Sequence, residues 1–172
     1  SELEKAAREL LRDAEERNDA AARILAGRYL ADALARRGDA DGALAVLADF
    51  PALHDRLEDP RGRRDTQRQR ARLLAAKGKF ADASPLFKES LELHRKHEPK
   101  ARLLAGDILA EWFAAARKAG RADEADGLRN EAAAEYRAAI ESPDAGGPLA
   151  AFTRLQALTR SARQFRQALE VS

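Results

Sequence analysis

Apolar residues recur at intervals of three and four along most of this chain, which is the spacing that places them on one face of an α-helix. The first run covers residues 3–17, where Leu3, Ala7 and Leu10 follow this spacing. Further helices are predicted at residues 20–37, 40–49, 63–77, 80–97, 100–119, 122–141 and 148–169. The pattern therefore predicts an all-α chain of about eight helices.

Capping residues and helix breakers mark the ends of several of these helices. Asn18 and Asp19 are predicted to cap the helix that begins at 20, and Asp39 to begin the next one. Residues 51–62 carry two prolines and a glycine, so we expect an irregular connection there with at most a helical turn. Residues 142–148, SPDAGGP, are predicted to form a linker that ends in the first residue of a closing helix.

One phrase occurs three times: an apolar helical run ends at a basic residue and a glycine, and a second helix follows with an early alanine. The copies are YLADALARRGDADGALAVL (29–47), RARLLAAKGKFADASPLF (70–87) and EWFAAARKAGRADEADGL (111–128). Their turn glycines, Gly38, Gly78 and Gly120, are about 40 residues apart. A repeat of this period predicts a solenoid of stacked helix pairs.

Both small residues of the phrase have a mechanical reason. The residue just past a helix end commonly takes a left-handed conformation, which glycine adopts without a Cβ penalty. An alanine follows each glycine by five residues, at Ala43, Ala83 and Ala125. We expect the second helix to cross the first at these alanines, where only a small side chain allows close approach.

The phrase resembles the tetratricopeptide repeat family, in its longer variant of about 42 residues, similar to kinesin light chain-like and bacterial repeats. The small, apolar and large positions of that family match Ala31 and Ala71, Leu34 and Leu74, and Leu47 and Phe87. The third copy departs from the pattern, with Phe113 and Arg129 at two of these places.

The resemblance implies one domain, residues 1–172, in which antiparallel helix pairs form a right-handed α-solenoid. Its parts would be a partial repeat helix at 1–19, repeats at 20–60, 61–99 and 100–142, and a closing helix at 148–170. The first helices of the pairs would line a concave groove. In such proteins a peptide or a partner protein binds in this groove.

Alignment on the turn glycines suggests which residues would face the groove. By resemblance these are Arg28, Asp32, Arg68, Gln69, Arg72, Asp107, Glu111 and Arg117. The densest basic run, residues 61–72, contributes two of the arginines. Because a guanidinium donates two parallel hydrogen bonds to a carboxylate, an acidic peptide is the sharper hypothesis. An ordinary solvated face of mixed charge is the alternative.

Several classes of function find no support in the composition. There is no cysteine, which excludes disulfides and zinc–thiolate sites. No nucleophile elbow, phosphate loop or zinc-protease helix is present, so we expect neither an enzyme nor a bound cofactor. His94, His97 and Glu98 share a helical face but lack a third ligand, and we expect a surface pair at a helix end rather than a metal site.

Charge and hydropathy bear on the partner and the compartment. The net charge is only +2, which does not favour nucleic acid, although the stripe at 61–72 keeps electrostatic binding open as an alternative. No apolar stretch is long enough for a membrane span and residues 2–5 do not read as a signal peptide. We therefore expect a cytoplasmic protein with a protein or peptide partner and no membrane contact.

The last helix leaves further alternatives open. Its seam of Leu155, Leu158, Ala162, Phe165 and Leu169 has coiled-coil-like spacing. It would cap the solenoid or pair two copies, so a monomer and a weak homodimer are both expected states. A phosphate-rich partner on Arg160, Arg163 and Arg166 is a further alternative. The absence of methionine and the initial Ser1 suit either a domain cut from a longer protein or a designed scaffold without a natural partner.

Overall fold

The computed structural model describes residues 2–142 and 148–170, with side chains described as far as 163 in the second stretch. Over these ranges the chain forms nine α-helices and no strand, which confirms the all-α prediction. They are α1 (Glu2–Glu16), α2 (Ala20–Arg36), α3 (Ala40–Val46), α4 (Phe50–Arg56), α5 (Pro60–Ala76), α6 (Phe80–His97), α7 (Arg102–Lys118), α8 (Ala122–Glu141) and α9 (Pro148–Glu170).

The prediction of an irregular connection at 51–62 is wrong. This stretch holds most of α4, and α5 begins at Pro60 instead of residue 63. Pro51 and Pro60 each lie in the first turn of a helix, where the missing N–H would have no helical partner. Proline breaks a helix when it lies in the interior, but in the first turn it is compatible with the beginning of α4 and of α5. Helix α3 in turn ends at Val46, three residues earlier than predicted.

Two predictions fall at the edge of the described chain. Residues 143–147, the body of the predicted linker, lie outside the described residues. The side chains of Phe165, Arg166 and Leu169 are also outside the described set. Helix α9 begins at Pro148, as predicted.

Five of the helices end in the same corner. The corner residues have φ between 51° and 86° and are Asn18, Gly38, Glu58, Gly78 and Gly120. At each corner the next residue's N–H donates to the carbonyl five residues earlier, at 2.9 Å in every case. This is the Schellman arrangement, which satisfies a carbonyl at the end of the helix. The prediction that the three glycines mark equivalent corners is confirmed.

The first four corners are spaced by 20 residues, because Asn18 and Glu58 alternate with the two glycines. Each of the first three is followed by an aspartate that caps the next helix. The caps are Asp19 to the N–H of Ala22, Asp39 to that of Gly42 and Asp59 to that of Gly62, at 2.9 to 3.0 Å. A left-handed corner and an aspartate cap together turn the chain within three residues, so α1 packs on α2, α2 on α3 and α4 on α5 as helical hairpins.

The chain divides into two compact units, of which the first ends at Leu93 and the second begins at His94, within α6. In the first unit α1 packs on α2, α2 on α3 and α4, and α5 on α3 and α4. The closest approach is at Gly27, where an added Cβ would lie 2.3 Å from the Phe50 ring. Large buried side chains of this core include Leu30, Leu34, Leu47, Phe50 and Leu53.

Polar contacts join α5 to α6 in the first unit. Glu89 on α6 accepts from the Arg63 guanidinium at 2.7 and 2.9 Å and from the Gln67 side chain at 2.5 Å. The buried Ser90 hydroxyl donates to the carbonyl of Arg64 at 3.1 Å. Because Gln67 and Ser90 are buried, these bonds satisfy groups that would otherwise be costly to desolvate.

In the second unit α7 packs on α8, and α8 on α9. Gly106 lets α7 approach the ring of Tyr136, since an added Cβ would lie 2.5 Å from that ring. The Tyr136 hydroxyl donates to Asp107 at 3.0 Å, and Arg154 of α9 donates to the same carboxylate at 2.6 Å. One carboxylate on α7 thus connects all three helices.

The small residues of the recurring phrase are buried as expected. Ala43, Ala83 and Ala125, together with Ala31 and Ala71, have at most 1% of their surface exposed. The apolar stripe predicted for the first helix is covered only in part: Ala7 and Ala14 are buried, whereas Leu3 and Leu10 are more than half exposed. No helix in the described ranges is both long and apolar enough to cross a membrane.

We expect Gly78→Ala to lower the free energy of unfolding by about 1 kcal/mol, because the left-handed conformation is unfavourable for alanine and not for glycine. Gly127→Ala is the matched control. It lies inside α8 with no atom within 4 Å of an added Cβ, so alanine should raise stability by about 0.5 kcal/mol through helix propensity. Thermal unfolding followed by circular dichroism measures both. Similar shifts in the unfolding temperature of the two variants would contradict the requirement for glycine at position 78.

Candidate functional site

The structure brings two of the predicted site residues into direct contact. Gln69 on α5 donates from its side-chain amide to the Asp32 carboxylate on α2, at 2.8 Å. Arg28 lies one turn before Asp32 on α2, and both side chains are exposed. The sequence separation of 37 residues is close to the predicted repeat period.

Arg68 and Arg72 lie on α5 beside Gln69, four residues apart and therefore on one face. Arg72 is exposed and Arg68 is partly buried. Asp65, one turn earlier, accepts from the neighbouring Arg64 at 2.9 Å. We call the surface formed by Arg28, Asp32, Asp65, Arg68, Gln69 and Arg72 the α2–α5 face. It carries three guanidinium groups and two carboxylates, a small positive excess.

The predicted residues of the third repeat lie in the second unit. Glu111 is partly buried on α7. Burial raises the pKa of the Tyr136 hydroxyl, and the nearby carboxylates of Asp107 and Glu111 raise this pKa further. Arg117 donates to the Ser161 hydroxyl of α9 at 2.6 Å and lies over the Phe113 ring. Asp107 and Arg117 thus connect helices within the unit.

A buried histidine lies beneath the α2–α5 face. His54 on α4 is only 1% exposed, and its two ring nitrogens lie 3.0 Å from Asp59 and from the Thr66 hydroxyl. A carboxylate can only accept, so Nδ1 carries the proton and Nε2 accepts from Thr66. There is no room for a side chain at Gly62, whose added Cβ would lie 2.3 Å from the imidazole. Sequence reasoning missed His54, because a lone histidine in a presumed loop carries no pattern.

The ionisation of His54 is coupled to the face above it. Burial lowers the pKa of His54, while Asp59 and Asp65 raise it and the Arg28 guanidinium lowers it. The neutral ring forms hydrogen bonds with both Asp59 and Thr66, and these bonds hold α4 against the first turns of α5. His54 therefore fixes the position of the helix that carries Arg68 and Arg72.

His94 and His97 do not form the surface pair that was expected. His94 is buried and its Nε2 lies 3.0 Å from the carbonyl of Ala101, where it donates across the turn before α7. His97 is exposed. Over residues 2–142 and 148–163, no three acidic or histidine side chains are arranged to hold a metal ion. His94 thus acts as a buried connector between α6 and the start of α7.

The second unit carries a groove that was not predicted from the sequence. A cavity of about 240 Å³ opens between α8 and α9. Its lining residues are Arg129, Asn130, Ala133, Arg137, Leu155, Leu158, Thr159, Ala162 and Arg163. Arg160 joins the lining of an adjoining hollow over the same face of α9. The sequence signal was present in the closing helix, whose residues 148–163 include no acidic side chain.

Comparison with protein-family models and with curated proteins finds no significant match. The resemblance to tetratricopeptide repeats therefore rests on the recurring residues and the corners that they form.

We expect the stabilising contribution of His54 to be lost in acid. Its folded-state pKa lies below the unfolded value of about 6.5, so the contribution is complete above that pH and decreases as the pH falls through the lowered pKa. Urea unfolding of the protein and of His54→Gln at several pH values measures this. The stability difference between the two should be largest near neutral pH and shrink toward about pH 5.

The opposite trend would contradict this expectation. A difference that grows in acid would mean that the ion pair of protonated His54 with Asp59 outweighs the cost of burying the charge.

Proposed function

We propose that this chain is a protein-interaction scaffold of the tetratricopeptide type, built as a right-handed stack of helix pairs and acting in the cytoplasm. Its partner is an acidic peptide segment bound on the α2–α5 face. The bond between Gln69 and Asp32 carries the proposal, because it joins α5 to α2 at two positions that the resemblance assigns to the groove. The recurring corners and buried alanines support the repeat architecture.

The chemistry of the face favours an extended acidic segment. Arg28, Arg68 and Arg72 carry fork-shaped guanidinium groups, whose geometry matches carboxylates. Asp32 and Gln69 lie between them and can accept or donate to the main chain of a bound peptide. Because carboxylates of the face offset part of the positive field, a duplex with one charge per 1.7 Å would be a poorer fit than a peptide with a few acidic residues.

Charge reversal on α5 tests the proposal. A displayed library of random peptides is sorted on the protein, and the selected peptides are then measured against Arg68→Glu with Arg72→Glu. We expect the selected pool to be enriched in Asp and Glu, and the double variant to bind at least about tenfold more weakly, because two attractive contacts become repulsive. Raising the salt concentration should weaken wild-type binding as well.

Lys79→Glu with Lys88→Glu is the matched control, since both lysines are exposed on or just before α6 and the change in net charge is the same. The control should bind the selected peptides as the wild type does. Equal loss of peptide binding in both variants would mean that net charge alone causes the effect. Unchanged binding by the α5 variant would overturn the assignment of the face. A pool without acidic enrichment would overturn the choice of ligand.

A further inference from the structure

The groove between α8 and α9 has an apolar floor and a basic rim. Leu155, Leu158, Ala162 and Ala133 form the floor. The rim is formed by Arg129 and Arg137 on α8 and by Arg160 and Arg163 on α9. An apolar strip flanked by guanidinium groups matches a ligand that is itself apolar on one side and anionic on the other.

Most of the positive charge at this rim is uncompensated. Arg129 pairs with Asp126 at 2.9 Å. Arg137, Arg160 and Arg163 are exposed and make no ion pair with any described residue. The α2–α5 face differs, because carboxylates there offset part of the charge. The groove thus holds three arginine side chains available to a partner.

The apolar strip continues along α9 beyond the cavity. Leu149 is 77% exposed and Phe152 is 50% exposed. Phe152 lies three residues before Leu155 and four before Gln156, and Leu149 lies three before Phe152 and seven before Gln156, which places both on the face of α9 that carries Gln156 and borders the groove. From Leu149 to Arg163 this face is about 21 Å long at 1.5 Å per residue, which corresponds to about four helical turns.

The size and charge of the groove select one kind of occupant. The cavity of about 240 Å³ is smaller than the roughly 300–1,000 Å³ of small-molecule sites, and suits an anchoring side chain. A symmetric dimer through this face would bring three arginines of one copy against the same three of the other. A nucleic acid would meet the guanidinium groups but leave Leu149 and Phe152 in water. An acidic amphipathic helix matches both the strip and the rim.

We propose that the α8–α9 groove is a second binding site, which takes an acidic amphipathic helix from another protein. The apolar side of that helix covers Leu149, Phe152 and Leu155, and its carboxylates pair with Arg137, Arg160 and Arg163. The site lies within the second unit and does not depend on the α2–α5 face.

The test uses a fluorescent peptide about five turns long, with leucines spaced by three and four and glutamates on the other side. A second peptide has the same composition in scrambled order, without the apolar stripe. Fluorescence anisotropy with the full chain should show binding of the first peptide, binding at least about tenfold weaker for the scrambled one, and weakening between roughly 50 mM and 500 mM salt.

Arg160→Glu with Arg163→Glu should weaken binding of the amphipathic peptide at least about tenfold. Phe152→Ser should also weaken it without any change of charge. The matched control is Lys100→Glu with Arg121→Glu, which makes the same charge change at exposed sites of the second unit outside the groove. Arg137→Glu, on α8, repeats the test if the variants of α9 do not fold, as judged by circular dichroism.

Three results would overturn the inference. They are no binding of the peptide at about 0.5 mM, equal binding of the scrambled peptide, and unchanged binding by the folded groove variants. Binding of duplex DNA that Arg160→Glu with Arg163→Glu abolishes, without peptide binding, would assign the groove to a phosphate-rich partner instead. Arg68→Glu with Arg72→Glu should leave this peptide unaffected, which separates the outcome from that of the α2–α5 face.

Discussion

The left-handed corner at the end of the helices is the constraint on which the rest of the structure depends. At each of five corners one residue with positive φ lets the following N–H return to a carbonyl five residues back. The aspartate caps of the first three corners begin the next helix at once. Because each reversal takes only three residues, neighbouring helices must pack closely, and the buried alanines and Gly27 make that spacing possible.

Close packing of this kind leaves polar groups inside, and each unit satisfies several of them with a small network. Glu89 joins α5 to α6, His54 joins α4 to α5, and Asp107 joins α7 to α8 and α9. These groups bind their neighbours within the protein, so burial alone does not mark a ligand site. The surfaces that we propose for partners, the α2–α5 face and the α8–α9 groove, instead carry more guanidinium groups than carboxylates.

The two surfaces suggest different modes of recognition. The α2–α5 face mixes arginines with acidic and amide side chains, which suits hydrogen bonding along an extended chain. The α8–α9 groove combines Leu149 and Phe152 with arginines that have no carboxylate partner among the described residues. Two sites in separate units would let one scaffold hold two segments, and their joint affinity would then depend on the spacing of the segments in the partner.

The sequence by itself determined the helical class, most helix positions and three of the corners, because these depend on local spacing, on glycine and on capping residues. It did not reveal the corners at Asn18 and Glu58, where a residue other than glycine takes positive φ, nor helix α4, which has Pro51 in its first turn. Tertiary structure alone decided that His54 is buried between Asp59 and Thr66, that Gln69 reaches Asp32, and that arginines of α8 and α9 share a groove. These pairings join residues that are distant in sequence or lie on separate helices, and their contacts depend on how helices pack, which local periodicity does not encode.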